Sequence, residues 1–125
     1  MDQLTTLKAS IRDFVAEREW ARFHTPKNLA MCLSVEASEL LELYQWQMTT
    51  KAHSEFDGGG PPPQQRVEEE VGDIMISLLN FCHVTGIDPV EAGLNKLEQV
   101  KKKYPVERVK GSAAKPTLIC QKEDI

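Results

Sequence analysis

The sequence predicts an all-α fold, a four-helix bundle completed by homo-oligomerisation, on three observations. Apolar residues recur at offsets of three, four and seven over four long stretches. The breaks between these stretches carry Pro and Gly where helices start and stop. No stretch reads as a strand, and no repeat of solenoid period is present.

Each element follows from its pattern. Leu4, Leu7, Ile11, Phe14 and Val15 share one face, which predicts a first helix fading near Trp20. Thr25-Pro26 predicts a helix start, because a Thr oxygen can cap free N–H groups and Pro suits the first helical position. The second helix is expected to reach about Met48, with Leu29, Leu33, Ala37, Leu40, Leu41 and Tyr44 as its apolar stripe. Periodicity then stops from Thr49 to Pro63, where Asp57-Gly58-Gly59-Gly60-Pro61-Pro62-Pro63 predicts a loop. A third helix is expected from Gln64 to Val84 before Gly86, with Val67, Val71, Ile74, Leu78 and Phe81 as its core face. Asp88-Pro89 opens a fourth, with Glu91 placed for a capping box and Val90, Leu94 and Leu97 as the buried stripe, closing at Tyr104-Pro105. From Val106 onward no period is sustained. Residues 1–110 are read as one domain and 111–125 as a flexible C-terminal tail.

Composition excludes several function classes. The 125 residues are 41% hydrophobic and 27% charged, which is the balance of a globular chain of one-domain size. A net charge of −4 argues against a general nucleic-acid surface, which needs clustered cations. No apolar run suits a membrane span, and Met1-Asp2-Gln3-Leu4 has no secretory pattern, so a cytoplasmic location is expected. Cys32, Cys82 and Cys120 have no metal-ligand spacing, and the first two are expected to be reduced core thiols.

Four carboxylates break the amphipathic pattern. Counting about 100° per residue from Leu33, Glu36 falls at about −60° and Glu39 at about −120°, bordering or entering an apolar arc that holds Leu29, Cys32, Leu40 and Leu43. On the third helix Glu70 falls between the directions of Phe81 and Ser77, with Asp73 about 60° away. Carboxylates turned toward a core repel one another and lose hydration, so they need a cation. Neither helix carries Lys or Arg within its apolar arc. Hard oxygen donors without convergent His or Cys select Mg²⁺, with Mn²⁺ as the alternative. A di-iron bundle would carry Glu-x-x-His on two helices, and this chain has none.

Glu36-Ala-Ser-Glu39 followed by Glu70-Val-Gly-Asp73 resembles the E-x-x-E and E-x-x-D signature of MazG-like all-α NTP pyrophosphatases. The segments Phe14 to Trp20, Phe23 to Leu29, Glu42 to Trp46 and Lys103-Tyr104-Pro105 resemble the dCTP pyrophosphatase branch, and the likeness covers roughly residues 10–110. The resemblance implies Mg²⁺-dependent cleavage of a nucleoside triphosphate between its α and β phosphates, yielding a monophosphate and pyrophosphate. It implies Glu36, Glu39, Glu70 and Asp73 as catalytic metal ligands, and a homodimer or homotetramer as the working form. It further implies a base pocket with Trp20 and Trp46, with His24 and Asn28 near it, and phosphate-side contacts at Lys96 and Tyr104. Two positions depart from the branch: Val100 stands where relatives carry Asn, and Ser77 where they carry Tyr, both at positions read as lining the nucleotide site.

Two other readings stay open at the level of sequence. One is a non-catalytic helical module that binds nucleotides or regulates a partner, against which the intact set of four acids argues. The other is a related pyrophosphohydrolase, acting on phosphoribosyl-ATP or dUTP, which would keep the acids but lack the paired Trp.

Overall fold

The computed structural model describes residues 1–47 and 60–112, and every regular element among them is helical. The expected all-α class is borne out. The elements are α1 (Gln3–Glu17), a 3₁₀ turn (Ala21–Phe23), α2 (Pro26–Glu42), α3 (Gln64–Thr85), α4 (Pro89–Lys103) and α5 (Val106–Val109). No helix among the described residues is long and apolar enough to cross a membrane.

Local chemistry sets the ends. Asp2 caps α1 by accepting from Thr5 N–H at 2.8 Å, and Thr25 caps α2 by accepting from Asn28 N–H at 3.1 Å. Pro26 and Pro89 occupy first helical positions, where a missing N–H costs nothing. Asp88 accepts from the N–H groups of both Val90 and Glu91, at 2.9 and 3.1 Å. Gly86, at φ 71°, turns left-handed to end α3, and Ile87 N–H reaches back to Cys82 O at 3.0 Å.

The chain divides into two compact units, Met1–Ile87 and Asp88–Ile125. In the first, α2 packs along α3 as the most extensive helix pairing, and α1 also packs on α3. Ile11, Val15 and Leu79 form the core cluster, with Leu4 and Leu7 against it, and Leu29 and Cys82 are buried as well. The second unit carries α4 and the single turn α5.

Five sequence expectations are corrected. The second helix ends at Glu42 rather than Met48, because Leu43, Tyr44, Gln45 and Gln47 switch to tighter i→i−3 bonds while their apolar spacing continues. On α3 the buried positions are Leu79, Asn80 and Cys82, and Val71 is 52% exposed. A helix packed by two neighbours is buried along two directions, so its deepest residues need not follow one stripe. Val90, Leu94 and Leu97 are exposed, Leu94 by 61%, because a helical period reports that a face is apolar and not that it is buried. Cys32 is exposed while Cys82 is buried. The turn α5 lies where no helix was expected, being too short to show a period. Met48, residues 49–59 of the expected loop, and residues 113–125 with Cys120 lie outside the described residues.

Candidate active site

Glu36 and Glu39 stand three residues apart on α2, and Glu70 and Asp73 three apart on α3, so each pair shares one helix side. Packing of the two helices brings the pairs together, and one oxygen from each residue lies within 4.8 Å of the others. Glu36 and Glu70 are half-buried, while Glu39 and Asp73 are exposed.

The electrostatics of this cluster are unfavourable as it stands. Oε2 of Glu36 and Oε2 of Glu70 are buried with no hydrogen-bond partner. Burial, then the neighbouring carboxylates Glu39 and Asp73, push the Glu36 carboxyl above its ordinary range. Burial and Glu39 do the same to Glu70, against a smaller opposing pull from Arg66. Two orphaned oxygens facing two more carboxylates fit a divalent cation with a preference for oxygen donors. The fold thus provides an acidic cluster able to hold a metal ion.

A cavity of about 380 Å³ adjoins the cluster, within the size range of small-molecule sites. Glu36 is on its lining, so cluster and cavity are continuous. From α1 and the turn after it come Ser10, Ile11, Phe14, Val15, Trp20 and His24; from α2, Leu29 and Cys32; from α3, Ile76, Ser77 and Asn80.

The Trp20 wall is built by an unusual helix end. Glu19 adopts φ 53°, a left-handed conformation that costs a non-glycine residue about 1–2 kcal/mol. Its N–H bonds to Ala16 O, and Trp20 N–H bonds to Val15 O, each at 3.1 Å, which is the Schellman pattern. The chain reverses there, and the Trp20 ring meets Phe14 edge to face at 5.6 Å and 77°. The Arg18 guanidinium lies 3.8 Å over Phe14.

His24 lines the cavity with a buried Nδ1 that has no partner. Burial, then the charges of Arg12 and His83, hold its pKa below the ordinary histidine value, so near neutral pH it is an uncharged imidazole. His83 is lowered in the same way, by burial and then by Arg12 and Lys8. Arg12 donates from Nη2 to Oδ1 of buried Asn80.

Comparison with known proteins places this architecture. Residues 31–116 match the model of the MazG-like family, which is more than half of the chain. The chain belongs to the MazG-like family. Similar proteins of this kind include mouse dCTP pyrophosphatase 1, 36% identical over 110 residues covering 84% of this chain, and human dCTP pyrophosphatase 1, 33% identical over 105 residues. The chain spans 61% of the length of these curated relatives. Among solved structures, a pyrophosphatase from Archaeoglobus fulgidus is 37% identical, with a TM-score of 0.70, covering 84% of this chain and 94% of that one.

Of the residues singled out in this MazG-like sequence, the fold gathers Glu36, Glu39, Glu70 and Asp73 into the cluster, and Trp20, His24 and Ser77 onto the cavity. Asn28 lines a separate hollow of about 350 Å³ with Met31, Cys32, Val35 and Glu36, while its amide donates to Phe23 O at 3.0 Å and ties the 3₁₀ turn to α2. Trp46 lies in the turn after α2, is 78% exposed and is not on the cavity lining of this chain. Lys96 and Tyr104 belong to the second unit. Sequence reasoning missed Phe14, Cys32 and Asn80 as cavity residues. For Asn80 a signal existed: a lone amide between Leu79 and Phe81, on the same helix side as Ser77.

Proposed function

We propose that this chain is a nucleoside triphosphate pyrophosphohydrolase, cleaving dCTP or a related pyrimidine deoxynucleotide to its monophosphate and pyrophosphate. The observation that carries the reading is the continuity of the four-carboxylate cluster with an aromatic cavity through Glu36. Membership of the MazG-like family and the likeness to two dCTP pyrophosphatases and an archaeal pyrophosphatase support it.

Glu36, Glu39, Glu70 and Asp73 would hold Mg²⁺, or Mn²⁺, which supplies positive charge against the phosphate oxygens. The chain's own groups supply the rest. Trp20 and Phe14 offer ring faces and edges for a base, contributing roughly 1–3 kcal/mol per stacked base. His24, uncharged, offers a hydrogen-bonding nitrogen without repelling or attracting the polyphosphate. Ser77 on the cavity wall is small enough to leave room for the base or sugar. Asn28 and Trp46 belong to the proposed substrate-binding set, with Trp46 contributing across an assembly, and Lys96 and Tyr104 of the second unit are proposed as separate phosphate contacts.

The working form in this reading is a homodimer or homotetramer in the cytoplasm, built on a domain of residues 1–110. Met31, Val35, Leu41 and Trp46 stay exposed on and after α2, and Leu41 is 68% exposed, so an apolar face remains for a second copy. Incubation with a panel of dNTPs and NTPs plus Mg²⁺, with identification of products, tests the reaction. dCMP and pyrophosphate are expected. Release of phosphate and a diphosphate overturns the assignment.

A further inference from the structure

On α3, Glu70, Asp73, Ser77 and Asn80 follow one another at offsets of three, seven and ten, so they run down one side of the helix. The rise of 1.5 Å per residue puts Asn80 roughly 10 Å beyond Asp73 along the axis. That is the span from the phosphate next to a sugar to the far edge of a nucleobase. Asn80 lines the cavity and is 9% exposed. A buried amide is costly unless its polar atoms are used.

Arg12 decides which way that amide faces. A guanidinium has only donors, so the atom it meets must be the carbonyl Oδ1. The Asn80 side chain makes no other hydrogen bond among the described residues, which leaves its NH₂ group for the cavity. We infer that Asn80, locked by Arg12, is a specificity-determining residue that donates to a ring carbonyl of a pyrimidine base. This inference rests on the nucleotide reading given above.

The chemistry has a definite consequence. Cytosine, uracil and thymine all present a carbonyl oxygen at C2, whereas adenine has none. An amide free to rotate could turn its oxygen to the cavity and accept from an exocyclic amine, whereas one whose oxygen is turned to Arg12 presents its NH₂ there instead. Asn80 therefore favours pyrimidines over adenine and does not separate cytosine from uracil or thymine. Arg12 acts through Asn80 and is a positioning residue.

The test replaces the donor by an acceptor while retaining the partner of Arg12. Asn80→Asp keeps an oxygen for the guanidinium and turns a second oxygen to the cavity. Its kcat/KM for dCTP and for dTTP should fall about ten-fold or more, mainly in KM, while dATP is unchanged or improved. Arg12→Leu should raise the KM for dCTP several-fold at unchanged kcat, and Arg12→Lys should restore part of the loss. Isothermal titration of dCMP and dAMP without metal, on wild type and Asn80→Asp, gives a second readout independent of turnover. A folded Asn80→Asp protein with an unaltered preference for dCTP over dATP overturns the inference and leaves the hydrolase standing. If wild type turns over no triphosphate but dCMP binding weakens in Asn80→Asp, the base reader stands and the hydrolase falls. Absence of both turnover and dCMP binding overturns both.

Discussion

Glu36 on α2 and Glu70 on α3 each bury an oxygen with no protein partner, and both carboxylates belong to a cluster whose oxygens lie within 4.8 Å of one another. Two helices joined by a strongly repulsive contact are held in register by the rest of the fold. A group that relieves the repulsion should stabilise that register, and this separates a metal site from an ordinary acidic surface.

Glu70→Gln removes one of these charges without changing shape. In metal-free protein it should raise the melting temperature, because repulsion falls and a neutral amide tolerates burial better than a carboxylate. It should also reduce the rise in melting temperature that Mg²⁺ gives the wild type, and lower turnover roughly 100-fold or more, since a catalytic cation supplies several kcal/mol of charge stabilisation. Calorimetry with EDTA and with Mg²⁺, alongside pyrophosphate release, measures all three. A Glu70→Gln protein that keeps full activity removes the cluster from the mechanism.

A pH dependence follows from His24 and His83. Both are held below the ordinary histidine pKa by burial and by Arg12, so the folded protein binds fewer protons there than the unfolded chain. Their contribution to stability is present above the unfolded value near 6.5 and is lost as pH falls through the lowered folded values. The raised carboxyls of Glu36 and Glu70 act in the opposite sense, contributing most at acid pH. A paired comparison isolates the histidines: between pH 7.5 and 5.5 the wild type should lose more melting temperature than His83→Gln. Parallel slopes for the two proteins contradict the assignment.

Much of this architecture was legible in the sequence. Thr25-Pro26 and Asp88-Pro89 marked two helix starts because capping oxygens and N1 prolines act locally. The four acids were legible because a charge inside an apolar arc violates the helical pattern. The end of α2 was not, since Leu43 to Gln47 keep apolar spacing while their hydrogen bonds tighten. Nor was the Arg12–Asn80 pair, because it joins residues 68 apart and depends on how α1 lies on α3. The exposed stripe of α4 reads as core in sequence for a simple reason: periodicity reports that a face is apolar and not what covers it.

Glu19 gives a prediction about stability alone. Its left-handed φ of 53° closes α1, and glycine adopts that conformation without a Cβ clash. Glu19→Gly should stabilise the protein by about 1 kcal/mol in urea unfolding, with the position of Trp20 unchanged. Destabilisation would mean that the Glu19 side chain contributes something the turn geometry does not contain.

Assembly is tested through α2. Met31 and Val35 are exposed on the helix that carries Glu36 and Glu39, by 57% and 54%, and they line a hollow beside Glu36. Sedimentation at micromolar concentration should give a dimer or tetramer, and Met31→Asp should shift it toward monomer by placing a charge in an apolar contact. An active wild-type monomer at that concentration rejects the assembly.

The two tryptophans should differ in what they do. Trp20 lines the cavity, packs edge to face on Phe14 and is fixed by the turn at Glu19. Trp46 is 78% exposed and outside the cavity of its own chain. Trp20→Ala should weaken nucleotide binding roughly ten-fold to a hundred-fold, the loss expected for one stacked base, while Mg²⁺ binding is unchanged. It should also lower the melting temperature modestly, because the Phe14 contact goes with it. Trp46→Ala should leave the melting temperature of a dissociated chain unaltered. It should weaken nucleotide binding only where copies assemble, if the ring reaches a neighbouring cavity. Titration of both variants above and below the dissociation concentration separates these roles. Equal losses in monomer and assembly place Trp46 against the nucleotide within one chain, and no loss in either leaves Trp20 as the aromatic contact to the base.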